Sequence, residues 1–243
     1  MDLKDKVVLI TGGARRIGRA ISLALAERGA RVVIHYSRSG EAAEETLKEI
    51  KEHGGEGILL QADLMDEGAV AGIIGKASEW CGQVDILINN AAIFEAGGFI
   101  DTTSENWDRH FAINLKAPFL LSQSFARQIP DDGQGKIIFL SDWRGIRPGV
   151  GHFAYTLTKS ALITMTKSVA KVVTPRITVN SIALGAILPP EGADEDFLAR
   201  KIETIPLRRS GSPADVVATV QFLLEGSDFI TGETILVDGG EHL

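Results

Sequence analysis

The fold is decided near the amino terminus by the stretch VVLITGGARRIG, residues 7–18. Its first four residues are apolar and mostly β-branched, which predicts a buried strand of a parallel sheet. The glycines that follow indicate a tight strand-to-helix turn, and an amphipathic segment begins at Ile17. Such a turn lets the backbone approach a pyrophosphate, while free amides and the helix dipole attract the anion. The stretch therefore predicts a nucleotide-binding α/β fold.

The same alternation of short apolar runs and amphipathic segments continues along all 243 residues. Helical segments are predicted at 17–28, 41–53, 68–80 and 155–173, between short apolar runs. Strands alternating with helices predict a doubly wound parallel sheet with right-handed connections. We therefore expect one single-domain Rossmann fold, residues 1–243, with helices on both faces of a seven-stranded sheet. The predicted strands are 7–10, 31–34, 57–60, 84–88, 136–140, 177–182 and 234–237.

The end of the second strand predicts which cofactor is bound. An NAD-selective protein places a carboxylate there for the ribose, whereas this chain has Arg38 and Ser39. With Arg15 from the glycine turn, these residues are suited to a 2′-phosphate, which favours NADP. Solvated surface arginines are the alternative interpretation. The other predicted cofactor contacts are Gly12, Arg16, Ile17, Gly18, Tyr36, Asp63, Leu64, Asn90, Ala91, Ala92 and Gly185, together with Tyr155 and Lys159.

Candidate catalytic residues lie on one predicted helical turn. Tyr155 and Lys159 are four residues apart, so a phenol lies beside an ammonium that favours its deprotonation. Asp142 lies thirteen residues before the tyrosine and would oppose that effect on the phenol pKa. The group of three predicts acid/base chemistry.

Composition narrows the other classes of function. A net charge of −7 argues against a nucleic-acid surface, and no apolar run approaches membrane-spanning length. Cys81 is the single cysteine, which excludes an internal disulfide, and the five histidines show no metal-ligand spacing. The charged start of the chain leads directly into a strand, which argues against a signal peptide. We expect a cytoplasmic protein with no metal and no membrane partner.

Six ordered motifs resemble the classical short-chain dehydrogenase/reductase family over essentially the whole chain. They are Thr11-Gly12 with Gly18, Asp63, Asn89-Asn90-Ala91, Asn114, Tyr155 with Lys159, and Asp238-Gly239-Gly240. The resemblance implies that NADPH supplies hydride and Tyr155 the proton. It also implies that Lys159 lowers the phenol pKa and holds the ribose, and that Asn114 orders a water. The family further implies a homotetramer, built through the helices around Asn114 and Tyr155 and the strand at 234–237.

Two departures from the broad family are similar to pteridine reductases and the related dihydromonapterin reductases. Arg16 replaces a glycine of the first loop, and Asp142 replaces the usual catalytic serine. Phe94 falls where those enzymes have an aromatic residue that stacks on the pterin. A carboxylate suits the amidine-like edge of a pterin, as a hydroxyl suits a ketone oxygen. The predicted substrate contacts are Arg16, Phe94, Asp142 and Tyr155, for a dihydropterin and also dihydrofolate.

Two other functions remain open at this stage. One is reduction of an ordinary carbonyl, such as a 3-oxoacyl thioester or a small ketone, against which the missing serine counts. The other is a non-catalytic NADP-binding sensor, which the intact Asn114, Tyr155 and Lys159 disfavour. Trp143 and Arg144 follow Asp142 and are candidates to line the pocket. Phe94 and Trp143 each have a packing interpretation, and Trp143 is a second-choice pocket contact. Residues 188–205 are predicted to form a substrate lid, or else an ordinary surface connection.

Overall fold

A computed structural model describes residues 1–190, 192–193 and 196–243. Its seven strands form one parallel sheet, confirming the predicted fold class. The order is β3-β2-β1-β4-β5-β6-β7. The strands therefore follow one another outward from β1 to β3 on one side and from β4 to β7 on the other. The strands are β1 Val7–Ile10, β2 Arg31–Tyr36, β3 Glu56–Gln61, β4 Ile86–Asn89, β5 Gly135–Asp142, β6 Ile177–Leu184 and β7 Thr234–Val237.

Eight α-helices cover the two faces of this sheet within the described residues. Alternate residues of β1 point to opposite faces, so Val8 and Ile10 pack in one hydrophobic core and Leu9 in the other. The helices are α1 Arg16–Glu27, α2 Gly40–Glu52, α3 Glu67–Cys81, α4 Ser104–Phe111, α5 Ala117–Gln128, α6 Phe153–Val173, α7 Phe197–Ile202 and α8 Pro213–Gln221.

Strand β5 runs two residues further than the sequence predicts. Ser141 and Asp142 pair with Ala183 and Leu184 of β6, which extends the ladder to the sheet edge. The apolar pattern ends at Leu140, so hydrophobicity alone did not include them. The extension fixes the backbone of Asp142 within the sheet, rather than on a loop.

The strand order reverses between β1 and β4, and ligands of such sheets bind beyond the carboxyl ends of strands at that point. The turn after β1 and the segments after β4, β5 and β6 all leave the sheet at this edge. Within the predicted lid at 188–205, the structure shows α7, while residues 191, 194 and 195 lie outside the described residues. None of the described helices combines the length and apolarity needed to cross a membrane.

Candidate active site

One cavity of about 890 Å³ lies at this edge of the sheet. It runs from the glycine turn, past the end of β2, to Phe94, Asp142, Tyr155 and Lys159. Every residue predicted to contact cofactor or substrate lines it, including Gly12, Arg15, Arg16, Ile17, Gly18, Tyr36, Arg38, Ser39, Asp63, Leu64, Asn90, Ala91, Ala92 and Gly185. Among the predicted site residues, Asn114 and the second-choice contact Trp143 are not part of its wall.

The glycine turn is closed too tightly for side chains. Gly12 has a φ of +62°, in the left-handed region that glycine tolerates. A Cβ at Gly18 would lie 2.1 Å from the Gly12 carbonyl oxygen and 2.7 Å from Nδ2 of Asn90. Both positions therefore require glycine, and the start of α1 is left bare toward the cavity.

Asn90 ties the end of β4 to this turn. Its side-chain amide donates to the carbonyl oxygens of Thr11 (2.8 Å) and Gly12 (3.1 Å). Its backbone N–H and that of Ala91 both donate to the Thr11 hydroxyl, at 2.9 and 3.0 Å. Asn90 thus joins the two central strands at the point where the order reverses.

His35 completes the same turn through a contact that the sequence did not predict. Its Nδ1 accepts from the Gly12 N–H at 3.2 Å, and its Nε2 lies 3.2 Å from the Ala62 carbonyl. A neutral ring that carries its proton on Nε2 satisfies both bonds. Burial lowers the pKa of His35 to about 4, so the ring is neutral at pH 7.

Tyr155 and Asp142 form a direct hydrogen-bonded pair inside the cavity. The phenol Oη donates to Oδ2 of Asp142 at 2.9 Å, and both side chains are buried. Burial first, and then the charge of Asp142, raise the pKa of Tyr155 well above its usual value. The phenol is therefore protonated at neutral pH and ready to donate.

Ser141 is not an alternative to Asp142. Its hydroxyl lies 2.6 Å from that of Ser181 in the buried interior of the sheet. Neighbouring strand residues point to opposite faces, so only Asp142 is directed toward Tyr155.

Lys159 is buried beside this pair. Its ammonium donates to the Leu140 carbonyl at 2.6 Å and lies 5.4 Å from the centre of the Tyr155 ring. Burial lowers the pKa of Lys159 to about 8, although Asp142 acts in the opposite sense. Burial and Asp142 raise the pKa of the Tyr155 phenol, and the charge that acts in the opposite sense is that of Arg144. A lowering of the phenol pKa by Lys159 stays a prediction.

Asn114 lies one layer behind the cavity wall, in a wide π-helical turn between α4 and α5. Its amide both accepts from the Ile93 N–H and donates to the Ile93 carbonyl, at 2.9 Å each. The side chain thereby fixes the backbone immediately before Phe94. Any water bound by this residue would therefore have to be held mainly by its backbone, and that role stays a prediction.

Phe94 presents a supported aromatic ring to the cavity. Its ring stacks on the imidazole of His152, with centroids 3.8 Å apart and planes 16° apart, and meets Tyr155 edge-on at 4.7 Å. His152 has a left-handed backbone (φ 54°), and its Nδ1 bonds the Glu95 carbonyl at 2.9 Å. Since Phe94 lines the cavity and His152 does not, the imidazole supports the ring from behind.

Arg16 extends from the glycine turn toward the predicted lid. Its guanidinium donates to the Pro189 carbonyl at 2.6 Å, with a backbone φ of 54°. Arg144, which follows Asp142 and was expected to line the pocket, is part of the cavity wall and lies closer to the acid/base pair. Its backbone N–H bonds Asp142 Oδ1 at 2.8 Å.

The cavity fits a dinucleotide phosphate in several respects. The first turn of α1, whose residues Arg16, Ile17 and Gly18 line the cavity, offers helix N-terminal amides to a pyrophosphate. Arg38 is exposed at the end of β2, where no carboxylate would repel a 2′-phosphate. Asp63 is also exposed, although one of its carboxylate oxygens already accepts from the Met65 N–H.

Sequence reasoning missed two residues that shape the site, His35 and His152. Each acts through a contact between segments distant in the chain. His35 follows three apolar strand residues, and a histidine at a strand end that faces a glycine turn is the one signal that would have indicated its role. We identify no comparable signal for His152.

Comparisons with known proteins agree on the family and differ on the substrate. The family model described as enoyl-(acyl carrier protein) reductase matches residues 12–242. A 3-oxoacyl-[acyl-carrier-protein] reductase of Staphylococcus epidermidis is 35% identical, covering 98% of this chain and 100% of the relative. A versicolorin reductase of Emericella nidulans is also 35% identical, over 98% of this chain and 96% of its own length.

Among solved structures, a similar chain is the FolM alternative dihydrofolate reductase 1 of Brucella canis, complexed with NADP. It superposes with a TM-score of 0.94 at 37% identity and covers 99% of this chain and 95% of its own. The corresponding Brucella suis protein, also in complex with NADP, has a TM-score of 0.94 and 38% identity.

Proposed function

Because the chain belongs to the short-chain dehydrogenase/reductase family, we propose that it is an NADPH-dependent reductase whose substrate is a pteridine. The proposed enzyme reduces a dihydropterin to a tetrahydropterin and also accepts dihydrofolate as a substrate. The family establishes an oxidoreductase that uses a nicotinamide cofactor. The pteridine is the proposal, and the hydrogen bond between Tyr155 and Asp142 is the observation that carries it.

The chemistry of the Asp142 carboxylate favours a pteridine over an ordinary carbonyl. An ordinary carbonyl substrate presents an acceptor oxygen, and a carboxylate beside the proton donor would repel the negative charge that hydride transfer builds there. A pterin presents a C=N bond and amino donors, with which a carboxylate bonds well. Asp142 is therefore favourable for an amidine-like ring and unfavourable for a ketone.

The chain's own residues supply binding and the proton. When bound, NADPH supplies a hydride to the carbon of the C=N bond. Tyr155 donates its phenolic proton to the adjacent nitrogen, and Asp142 holds the phenol in position for that transfer. The Lys159 ammonium is buried within the same group and stabilises the resulting phenolate. Phe94 gives the flat substrate an aromatic face on which to stack.

NADP is the cofactor, in agreement with the end of β2. Arg38, Ser39 and Arg15 line the part of the cavity that would receive the 2′-phosphate. The Brucella neighbours were crystallised with NADP. Guanidinium groups pair with phosphate in a bidentate way, which favours NADP over NAD at such a site.

Reduction of a 3-oxoacyl thioester is the second candidate, favoured by the Staphylococcus relative. The observation against it is the buried carboxylate where that chemistry is served by a hydroxyl. A non-catalytic sensor is disfavoured because Tyr155 and Lys159 are both in the cavity wall.

The assembly is proposed to be a homotetramer. Large apolar side chains are exposed on the helices around Asn114 and Tyr155, including Phe119 on α5 and Val172 on α6. β7 is the last strand at one edge of the sheet, and Phe229 nearby is almost fully exposed. Light scattering on the purified chain tests this: a monomer mass would contradict it.

One assay separates the candidate functions. NADPH oxidation is followed with dihydrobiopterin, with a 3-oxoacyl thioester and with neither. The proposal expects turnover with the pterin at a kcat/KM at least about tenfold above that with the thioester. Preference for the thioester would establish the second candidate, and NADPH binding without turnover would establish the sensor.

A further inference from the structure

Arg144 lies in the cavity wall between three groups of the proposed pterin site. Its guanidinium carbon is 5.4 Å from the centre of the Phe94 ring and 5.1 Å from that of Trp143. Its Nη1 lies 3.3 and 3.5 Å from the two oxygens of Asp142. Two aromatic faces and one carboxylate thus hold the charge in a fixed place.

Much of the donor capacity of this guanidinium is unused. A guanidinium carries five N–H donors in a planar fork. Only Nη1 has hydrogen bonds within the described chain, and both are at the long end of the usual range. The side chain is 20% exposed and lines the cavity, so a ligand bound in the cavity can reach the remaining donors. A ligand that offers an acceptor would therefore find donors already in position.

Arg16 is less well placed for this contact. Its guanidinium is directed to the Pro189 carbonyl of the predicted lid, at 2.6 Å. Arg144, by contrast, contacts the residue that bonds Tyr155. The two arginines also differ in support, because Arg144 alone is held by aromatic faces in the described residues.

On the basis of the proposed function, we propose that the Arg144 guanidinium donates a hydrogen bond to the ring carbonyl of the substrate and so recognises it. Asp142 and Arg144 together present an acceptor and a donor side by side at the cavity wall. A 4-oxopteridine offers the complementary edge, since its carbonyl oxygen accepts and its amino and ring N–H groups donate. A 2,4-diaminopteridine carries a donor in place of that oxygen and faces the guanidinium unfavourably.

The test is a comparison of ligand affinities in the NADP-saturated, full-length protein. Dissociation constants for 2-amino-4-oxopteridine and 2,4-diaminopteridine are measured by fluorescence titration in the wild type, Arg144→Met and Arg144→Lys. A lost hydrogen bond from a charged donor weakens binding by about tenfold to hundredfold. We expect Arg144→Met to weaken binding of 2-amino-4-oxopteridine by that amount and binding of 2,4-diaminopteridine by less than about threefold. Arg144→Lys keeps the charge but loses the planar fork, so it should restore only part of the selectivity.

Arg147→Met is the matched control, because Arg147 is exposed and bonds the backbone of His242 and Leu243 away from the cavity wall. Its ligand selectivity should equal that of the wild type. Equal weakening of both ligands in Arg144→Met, or no weakening, would overturn the inference and leave the proposed function standing. If neither ligand binds the wild-type protein, the proposed function and the inference both fail. Unchanged affinity for NADP shows that a variant is folded, and if Arg144→Met fails that check, the ratio in Arg144→Lys decides.

Discussion

The phenol of Tyr155 donates its hydrogen bond to Oδ2 of Asp142 at 2.9 Å, inside the cavity that also holds Lys159 and Phe94. This bond keeps the tyrosine protonated, because burial and the neighbouring carboxylate favour the neutral phenol. It also places an anionic acceptor next to the atom that receives the proton. Both consequences favour a substrate with a basic nitrogen and amino groups over one with a carbonyl oxygen.

Activity should fall at mildly alkaline pH because Lys159 loses its positive charge. Burial lowers the pKa of its ammonium to about 8, so the positive charge is present below that pH and lost above it. The pKa of Tyr155 is raised well above its usual value, so the phenol does not titrate in this range. We expect kcat/KM for dihydropterin to fall about tenfold per pH unit above pH 8.

The pH profile of Lys159→Arg provides the check. A guanidinium remains charged far above pH 8, so the alkaline fall should move to higher pH even if the maximal rate is lower. A wild-type profile that stays flat to pH 10 would show that the charge of Lys159 is not required.

Stability should fall in acid through His35. Its pKa is lowered from 6.5 to about 4, so the unfolded chain binds a proton that the folded chain excludes. The contribution of the neutral His35 ring to the free energy of unfolding is complete above pH 6.5 and is lost as the pH falls toward 4. Linkage gives about 3 kcal/mol for a shift of this size.

Urea unfolding at pH 7 and pH 4 measures this loss. Between pH 7 and pH 4 the free energy of unfolding should decrease in both proteins, and this decrease should be about 3 kcal/mol smaller in His35→Asn than in the wild type. Affinity for NADPH should weaken in the variant, since Gly12 loses its bond to Nδ1. Equal acid sensitivity of the two proteins would show that His35 titrates normally.

His152 should act on substrate binding through Phe94. The imidazole stacks behind the aromatic ring and bonds the Glu95 carbonyl, so its removal frees Phe94 to rotate. We expect His152→Ala to raise KM for dihydropterin about tenfold while NADPH affinity is unchanged. His152→Phe keeps the stacked ring and should recover most of the loss. A fall in kcat with unchanged KM would place His152 in the chemical step instead.

The sequence predicted the parts of the site that follow from local pattern. Glycines between a strand and a helix, and the spacing of Tyr155 and Lys159, were enough to place the nucleotide turn and the acid/base pair. Asp142 was identified from its register, and the extension of β5 explains why the register holds.

The remaining features depend on tertiary contacts that no local pattern encodes. His35 bonds a turn 23 residues away in the chain, and His152 reaches Glu95 across 57 residues. The raised pKa of Tyr155 arises first from burial, whereas the sequence emphasised the lowering effect of Lys159. Burial of a single phenol cannot be read from the spacing of a motif.

The most direct test of the account is the substrate preference of the wild type and of Asp142→Ser, measured as kcat/KM with NADPH for dihydrobiopterin and for a 3-oxoacyl thioester. A general acid and its partner contribute about a hundredfold or more, so Asp142→Ser should lower pterin reduction by at least that factor. The same change should leave thioester reduction equal or increased, because it removes the charge that repels a developing oxyanion. Pterin reduction that is unchanged in Asp142→Ser would contradict the central claim.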